Sequence, residues 1–213
     1  MTTILINFIL AKKMNMAATL SNMLPLGTKA PDFKLFDTVS GKQLTYNDIK
    51  GKNGTVIMFI CNHCPYVLHV NPQIVKIANE YQDKGIGFVG ISSNDVENYP
   101  QDAPELMTQQ AKKVGYNFPY LYDETQEVAK AYQAACTPDF YVFDSNDKLV
   151  YRGRLDESSP KNNIQLTGKD LRKALDLLLI GKMIPDEQQL PSIGCNIKWK
   201  GDQKVNLQKV NFK

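Results

Sequence analysis

Residues 56–67 read VIMFICNHCPYV, and the first five of them decide the fold. Val56 to Ile60 form a continuous apolar run without alternation, the pattern of a parallel strand buried on both faces. A polar break follows at once. Val67, Val70, Ile74, Ile77 and Tyr81 then recur at steps of three and four, the period of an amphipathic helix, with Pro72 expected to kink or restart it. A second apolar run, Ile86 to Ile91, comes next. Strand, helix and strand within about 35 residues make a βαβ unit, nearly always right-handed with parallel strands. Both strands therefore end on one edge of the sheet.

Outward from this unit, Phe33 to Phe36 and Gln43 to Tyr46 flank Gly41 as a short hairpin. Helices are expected over Ala103 to Val114, ended by Gly115, and over Glu124 to Tyr132, capped by Asp123. Tyr120 to Tyr122 between them is strand-like. Phe140 to Phe143 and Leu149 to Arg152 enclose the turn residues Ser145, Asn146 and Asp147. Thr167 and Asp170 carry a capping-box signature for a helix from Leu171 to Ile180, with Leu171, Ala174, Leu175 and Leu178 on its apolar face and Gly181 as its stop. Residues 182–213 contain Pro185, Pro191 and a doubled QKVN, which predicts an irregular tail. The expected organisation is an N-terminal extension (1–24), an α/β domain with a central mixed sheet flanked by helices (25–181) and a C-terminal tail (182–213).

Composition excludes several classes. With 213 residues, 43% hydrophobic and 22% charged, the chain is neither disordered nor collagenous nor a disulfide scaffold. A chain of this length hides roughly 70% of its unfolded surface, so folding needs no metal or disulfide. A net charge of +3 is too weak to indicate nucleic acid. No apolar run reaches the roughly 18 residues of a spanning helix, so a soluble protein without membrane contact is expected. Ile4 to Ala11 (ILINFILA) has the length of a signal-peptide core, but its charges, Lys12 and Lys13, follow it rather than precede it, and Met14 and Met16 offer other starts. The segment reads as a tail and the location as cytoplasmic, with a periplasmic or secreted protein as the second reading.

The chemistry lies where the first strand hands over to the helix. Cys61, Asn62, His63 and Cys64 form a single C-x-x-C, which in a βαβ context reads as redox-active. Unpaired N–H groups and the positive helix end favour a thiolate over a thiol there. Cys61, outermost, is expected to be the nucleophile, and Cys64, one turn inward, to attack the mixed disulfide and release substrate. His63 adds a positive charge that would stabilise the thiolate.

The chain resembles the thioredoxin-like superfamily, and within it the redoxins allied to alkyl hydroperoxide reductase and thiol-specific antioxidant proteins. The likeness rests on KAPDFKLFD (29–37), CNHCPYV (61–67), GISSND (90–95), FPYLYDETQEVAKAY (118–132) and CTPDFYVFD (136–144), with SIGCNIKWK (192–200) similar to the ending of this subgroup. The resemblance implies that Cys61 and Cys64 are the redox pair. It also implies that Pro138, after Thr137, is a cis-proline against which substrate backbone lies. Thr137 and His63 are then substrate-contacting candidates. Ile60 stands where thioredoxins have tryptophan, and Asn62-His63 where they have Gly-Pro. The P-x-x-x-T-x-x-C arrangement of peroxiredoxins is absent, which puts disulfide exchange ahead of peroxide chemistry.

Other constellations compete. A zinc site could join Cys61 and Cys64 to His63 or His69 with Cys136, but a second paired motif is missing. His69 reads as a surface or packing residue. The resemblance places Cys136 near the redox pair, although burial explains it equally well. Cys195 could fold back as a further exchanging thiol or simply be packed. Ser92, Ser93, Asn94 and Asp95 end the second strand on the edge that bears Cys61; turn chemistry accounts for all but Asn94. Trp199 is expected to anchor the tail. The reading is a thiol-disulfide oxidoreductase serving redox homeostasis. It uses Cys61, Cys64 and Pro138, acts on protein or small-molecule disulfides, needs no cofactor, and draws electrons from a dithiol such as thioredoxin or from glutathione. A thiol peroxidase and a non-catalytic zinc or disulfide-stabilised module are the alternatives.

Overall fold

The computed structural model describes residues 18–201. The apolar segment at 4–11, its flanking lysines and methionines, and both QKVN copies lie outside the described residues. Ten strands and five α-helices follow in chain order: β1 (Ala18–Leu20), β2 (Lys34–Asp37), β3 (Gln43–Thr45), α1 (Tyr46–Ile49), β4 (Gly54–Phe59), α2 (Pro65–Gln82), β5 (Ile86–Ser92), α3 (Pro104–Val114), β6 (Tyr120–Tyr122), α4 (Glu127–Ala131), β7 (Cys136–Thr137), β8 (Asp139–Asp144), β9 (Leu149–Gly153), α5 (Lys169–Leu179) and β10 (Ile193–Asn196). None of these helices is long and apolar enough to cross a membrane.

The main sheet runs β3-β2-β6-β5-β4-β8-β9. β4 is parallel to β5 and antiparallel to β8, so it lies inside the sheet with a partner on each side. Its unbroken apolar sequence follows from that position. Val56 and Met58 join the core on the α2 face, and Ile57 and Phe59 join the core on the other. Each such side chain, wholly withdrawn from water, contributes about 1.5–3 kcal/mol. β8 alternates the same way, with Phe140 and Val142 opposed to Tyr141 and Phe143. α2 covers one face through Val67, Val70, Ile74, Ile77 and Tyr81, the periodic set that predicts it.

Three local expectations change. α2 is one continuous helix across Pro72, with Pro65 at its first turn and no restart. α4 is shorter than 124–132. Its N-cap is Gln126 in the left-handed region at φ 65°, while the buried Asp123 carboxylate accepts from Ala129 N–H at 2.9 Å. α5 does not form the Thr167–Asp170 capping box. Gly168 is its N-cap, and the Leu155 carbonyl accepts from Asp170 N–H at 3.1 Å and Leu171 N–H at 3.2 Å. The Thr167 hydroxyl accepts from Lys169 N–H at 3.3 Å. Asp156 holds the turn just before the helix through Thr167 N–H at 2.7 Å and Gly168 N–H at 2.5 Å, and Asp170 pairs with Arg154 at 2.7 Å.

The tail is the largest correction. Within residues expected to be irregular, β10 forms the middle of a second sheet, order β1-β10-β7, antiparallel to both neighbours. Cys195 faces Thr137 and Asn196 faces Cys136 in that register. Gly194 makes the approach possible: a Cβ there would meet the Thr137 carbonyl oxygen at 2.0 Å. Beyond β10, Ile197 is buried in the second core and Trp199 packs against it, so the tail is held where it was expected to be anchored.

Candidate active site

β4 ends at Phe59, and residues 60–64 turn over the sheet edge into α2. The expected pair arrives there together with three partners from elsewhere. Cys61 Sγ lies 3.5 Å from Thr137 Oγ1. Cys64 Sγ lies 3.1 Å from the Thr137 carbonyl oxygen and 2.8 Å from Cys195 Sγ. The Thr137–Pro138 peptide bond is cis, as the resemblance implies. Cys136 is buried next to this group, with its Sγ 3.7 Å from the Pro138 carbonyl oxygen. All four cysteines are buried and none is in a disulfide.

The electrostatics shift the expectation placed on Cys61. α2 begins at Pro65 with Cys64 as its N-cap, so the helix terminus acts on Cys64 and not on Cys61. The thiols of Cys195 and Cys61 and the N–H of Val67 all turn toward Cys64 as a thiolate, which lowers its pKa despite burial. Burial pushes the Cys61 thiol well up, and the adjacent Cys64 and Asp102 reinforce this. Cys195 is raised as the donor to Cys64, and burial raises Cys136. The reduced site therefore concentrates negative charge on the inner cysteine.

A second cluster holds the turn in place and has no signature in the sequence. Asp102, fully buried at the end of a 3-10 turn (Pro100–Asp102), accepts from Asn62 N–H at 2.8 Å, from Asn94 Nδ2 at 2.8 Å and pairs with His63 Nδ1 at 2.6 Å. The His63 ring stacks on Tyr99 at 5.8 Å between centroids. His63 Nε2 is buried without a hydrogen-bond partner among the described residues. Asn62 is gripped further by the Gln101 carbonyl, to which its Nδ2 donates at 2.9 Å, and by the Tyr120 hydroxyl at 3.2 Å. Asn94, singled out from its turn, also accepts from Lys198 N–H at 2.9 Å, tying the tail to the site. Its neighbours do turn and framework work: Ser93 bonds Asp123, and Asp95 accepts from Glu97 N–H.

The zinc set considered above is not assembled. Among the described residues, the ligand atoms that converge are those of Cys61, His63 and Asp102, within 4.8 Å of one another. Cys64 and Cys136 are not in that cluster, and His69 bonds Ser158 at 3.0 Å instead. His69 does line a shallow depression beside Pro138, together with Tyr66, Arg154 and Ile193.

A β4-α2-β5 unit with C-x-x-C at its turn and a cis-proline strand against it defines a thioredoxin-like fold. The Redoxin family model matches residues 25–167, and the chain belongs to that family. A crystal structure of an uncharacterized conserved protein from Geobacillus kaustophilus is 57% identical, with a TM-score of 0.86, covering 89% of this chain and 100% of that one. The thioredoxin domain of a thiol-disulfide oxidoreductase from Bacteroides vulgatus shares the fold at 20% identity and a TM-score of 0.52, over 70% of this chain and 97% of that one. Thiol-disulfide oxidoreductase ResA from Halalkalibacterium halodurans is 25% identical over 58% of this chain and 65% of its own length.

These relatives overturn the cytoplasmic expectation. A disulfide oxidoreductase from Mycobacterium tuberculosis homologous to DsbE (16% identical, TM-score 0.51, over 68% of this chain and 94% of that one) is described as secreted. Charge order around residues 4–13 was too local a signal to set the compartment.

Proposed function

We propose that the protein is a thiol-disulfide oxidoreductase working through Cys61 and Cys64. The observation that carries this reading is the convergence of both sulfurs on Thr137 of the cis-proline strand. Cys61, at 2% exposure against 0% for Cys64, is the sulfur that meets substrate. Its proton passes to the unpartnered His63 nitrogen, with the ring held by Asp102. The Cys61 thiolate attacks a substrate disulfide, forming a mixed disulfide and expelling one substrate thiolate. Cys64, the sulfur on which charge is favoured, then attacks Cys61 Sγ and expels the second. Two electrons have moved to substrate and a Cys61–Cys64 disulfide remains. A dithiol such as thioredoxin, or glutathione, would reduce it, and the same steps reversed would oxidise a substrate. Pro138 borders the depression where substrate backbone would lie, and Thr137 precedes it at the end of β7.

The test is reduction of insulin disulfides with a thiol donor. The wild-type chain should accelerate it, and Cys61→Ser should return it to the uncatalysed rate. Undiminished activity in Cys61→Ser would refute the assignment. Hydrogen peroxide should oxidise the reduced protein no faster than a free thiol.

A further inference from the structure

Cys195 has no role in the reaction above, yet its sulfur is 2.8 Å from Cys64 Sγ. The residues are 131 positions apart in sequence, so only the fold brings them together. Three features make the approach a built one. β10 is clamped between β1 and β7, with Cys195 in register with Thr137 and Ala18. Gly194 permits β10 to close on the Thr137 carbonyl. Cys195 is itself buried, so no other thiol from solvent competes for its place.

We propose that Cys195 is a third exchanging thiol, which takes over Cys64 from Cys61. In the oxidised protein the Cys195 thiolate attacks Cys64 Sγ, the Cys61–Cys64 bond breaks, a Cys64–Cys195 bond forms, and Cys61 leaves as a thiolate that takes up the proton Cys195 gave up. No external oxidant or reductant is consumed. The Sγ–Sγ separation of 2.8 Å has to shorten by less than about 1 Å to reach the length of a disulfide, about 2.05 Å. Sulfurs already held in place gain the rate advantage of an intramolecular reaction. The product stores the two oxidising equivalents between α2 and β10, while Cys61 is returned as a thiol able to engage another disulfide. The protein then has two oxidised forms with different reactivity. This inference rests on the Cys61–Cys64 reading only for the origin of the disulfide; the Cys64–Cys195 bond can be tested without it.

The test uses Cys61→Ser, which cannot form the first disulfide. The reduced variant is oxidised with diamide, which accepts two electrons and two protons from a thiol pair. It is then quenched in acid, alkylated under denaturing conditions and mapped by mass spectrometry. The expected result is a linked peptide pair holding Cys64 and Cys195 within one chain, with Cys136 still alkylated. Cys195 remaining fully alkylatable, or disulfides formed only between chains, would overturn the proposal. The wild-type chain supplies the same readout should the variant fail to fold. Acid quenching after diamide should yield both Cys61–Cys64 and Cys64–Cys195 peptides, and Cys61–Cys64 alone would overturn the relay while leaving the oxidoreductase reading intact. Failure of Cys61–Cys64 to form, with Cys64–Cys195 present, would support Cys195 as an exchanging thiol and refute the oxidoreductase reading instead.

Discussion

Asp139 follows the cis-proline and is wholly buried on β8, where a charge is costly. Its Oδ2 accepts from the Tyr141 hydroxyl at 2.9 Å, but its Oδ1 has no partner among the described residues. Neutral donors do not replace the hydration of a carboxylate, so burial lifts its pKa from 3.8 to about 8. The folded protein therefore holds a proton on Asp139 at pH values where the unfolded chain has lost it. Between the two pKa values the native state binds more protons, and stability falls as pH rises. The contribution is fully present below pH 3.8 and is lost progressively up to about pH 8. Each pH unit in this window costs up to about 1.4 kcal/mol, so moving from pH 5 to pH 7 removes about 2.7 kcal/mol. Asp139→Asn keeps the shape without the titration. Urea unfolding at both pH values should show wild type losing about 2–3 kcal/mol more than the variant over this interval. The difference between the chains cancels the two histidines and the surface carboxylates common to both. Parallel stability profiles would refute the reasoning and show that Asp139 is ionised within the fold.

Two further predictions concern elements that hold the site and its surroundings. Gly194→Ala places a Cβ against the Thr137 carbonyl and should cost about 1–3 kcal/mol in urea unfolding. It should also make native Cys195 alkylate faster, and unchanged alkylation would mean that β10 does not depend on the close approach. Asp156→Ala removes the carboxylate that accepts from Thr167, Gly168 and Ser158 N–H groups, and should destabilise the protein by about 1.5–3 kcal/mol. Thr167→Ala, which removes a long hydrogen bond from Lys169 N–H, should cost clearly less, and equal losses would refute this ranking.

The central unit was legible because its signals are short-ranged. A strand buried on both faces has to be apolar throughout, and a helix on one sheet face has to repeat every three or four residues, so β4, α2 and β5 announce themselves. C-x-x-C acquired meaning from its position between them. Where a long-range group outcompetes a local signature, the reading failed. Thr167 and Asp170 have the spacing of a capping box, but the Leu155 carbonyl arrives from the preceding loop and takes the N–H groups of Asp170 and Leu171, while Asp170 turns to Arg154. β10 is four residues with a glycine and no alternation, so its identity as a strand comes from partners distant in sequence, β1 and β7. Asp102 lies in a Pro-flanked stretch with nothing around it to suggest a role, and only folding sets its two oxygens against Asn62, His63 and Asn94.

The same long-range contacts explain how two cysteines three residues apart come to differ. Cys61 and Cys64 share a turn, but the helix terminus already separates them by acting on Cys64, its N-cap. Cys195 widens the difference by lying 2.8 Å from Cys64 Sγ, and Asp102 adds to it by placing a carboxylate near Cys61. In the proposed reaction attack on substrate is then the demanding step, since a buried thiol has to lose its proton beside a carboxylate. Resolution starts from a sulfur on which charge is already favoured, and exchange is faster where more thiolate is present. In the proposed reaction a mixed disulfide at Cys61 is therefore expected to be short-lived. The burial of all four sulfurs points the same way. Substrate has to displace neighbours to reach Cys61, and the release that follows needs no further rearrangement, because Cys64 is already in place beside it.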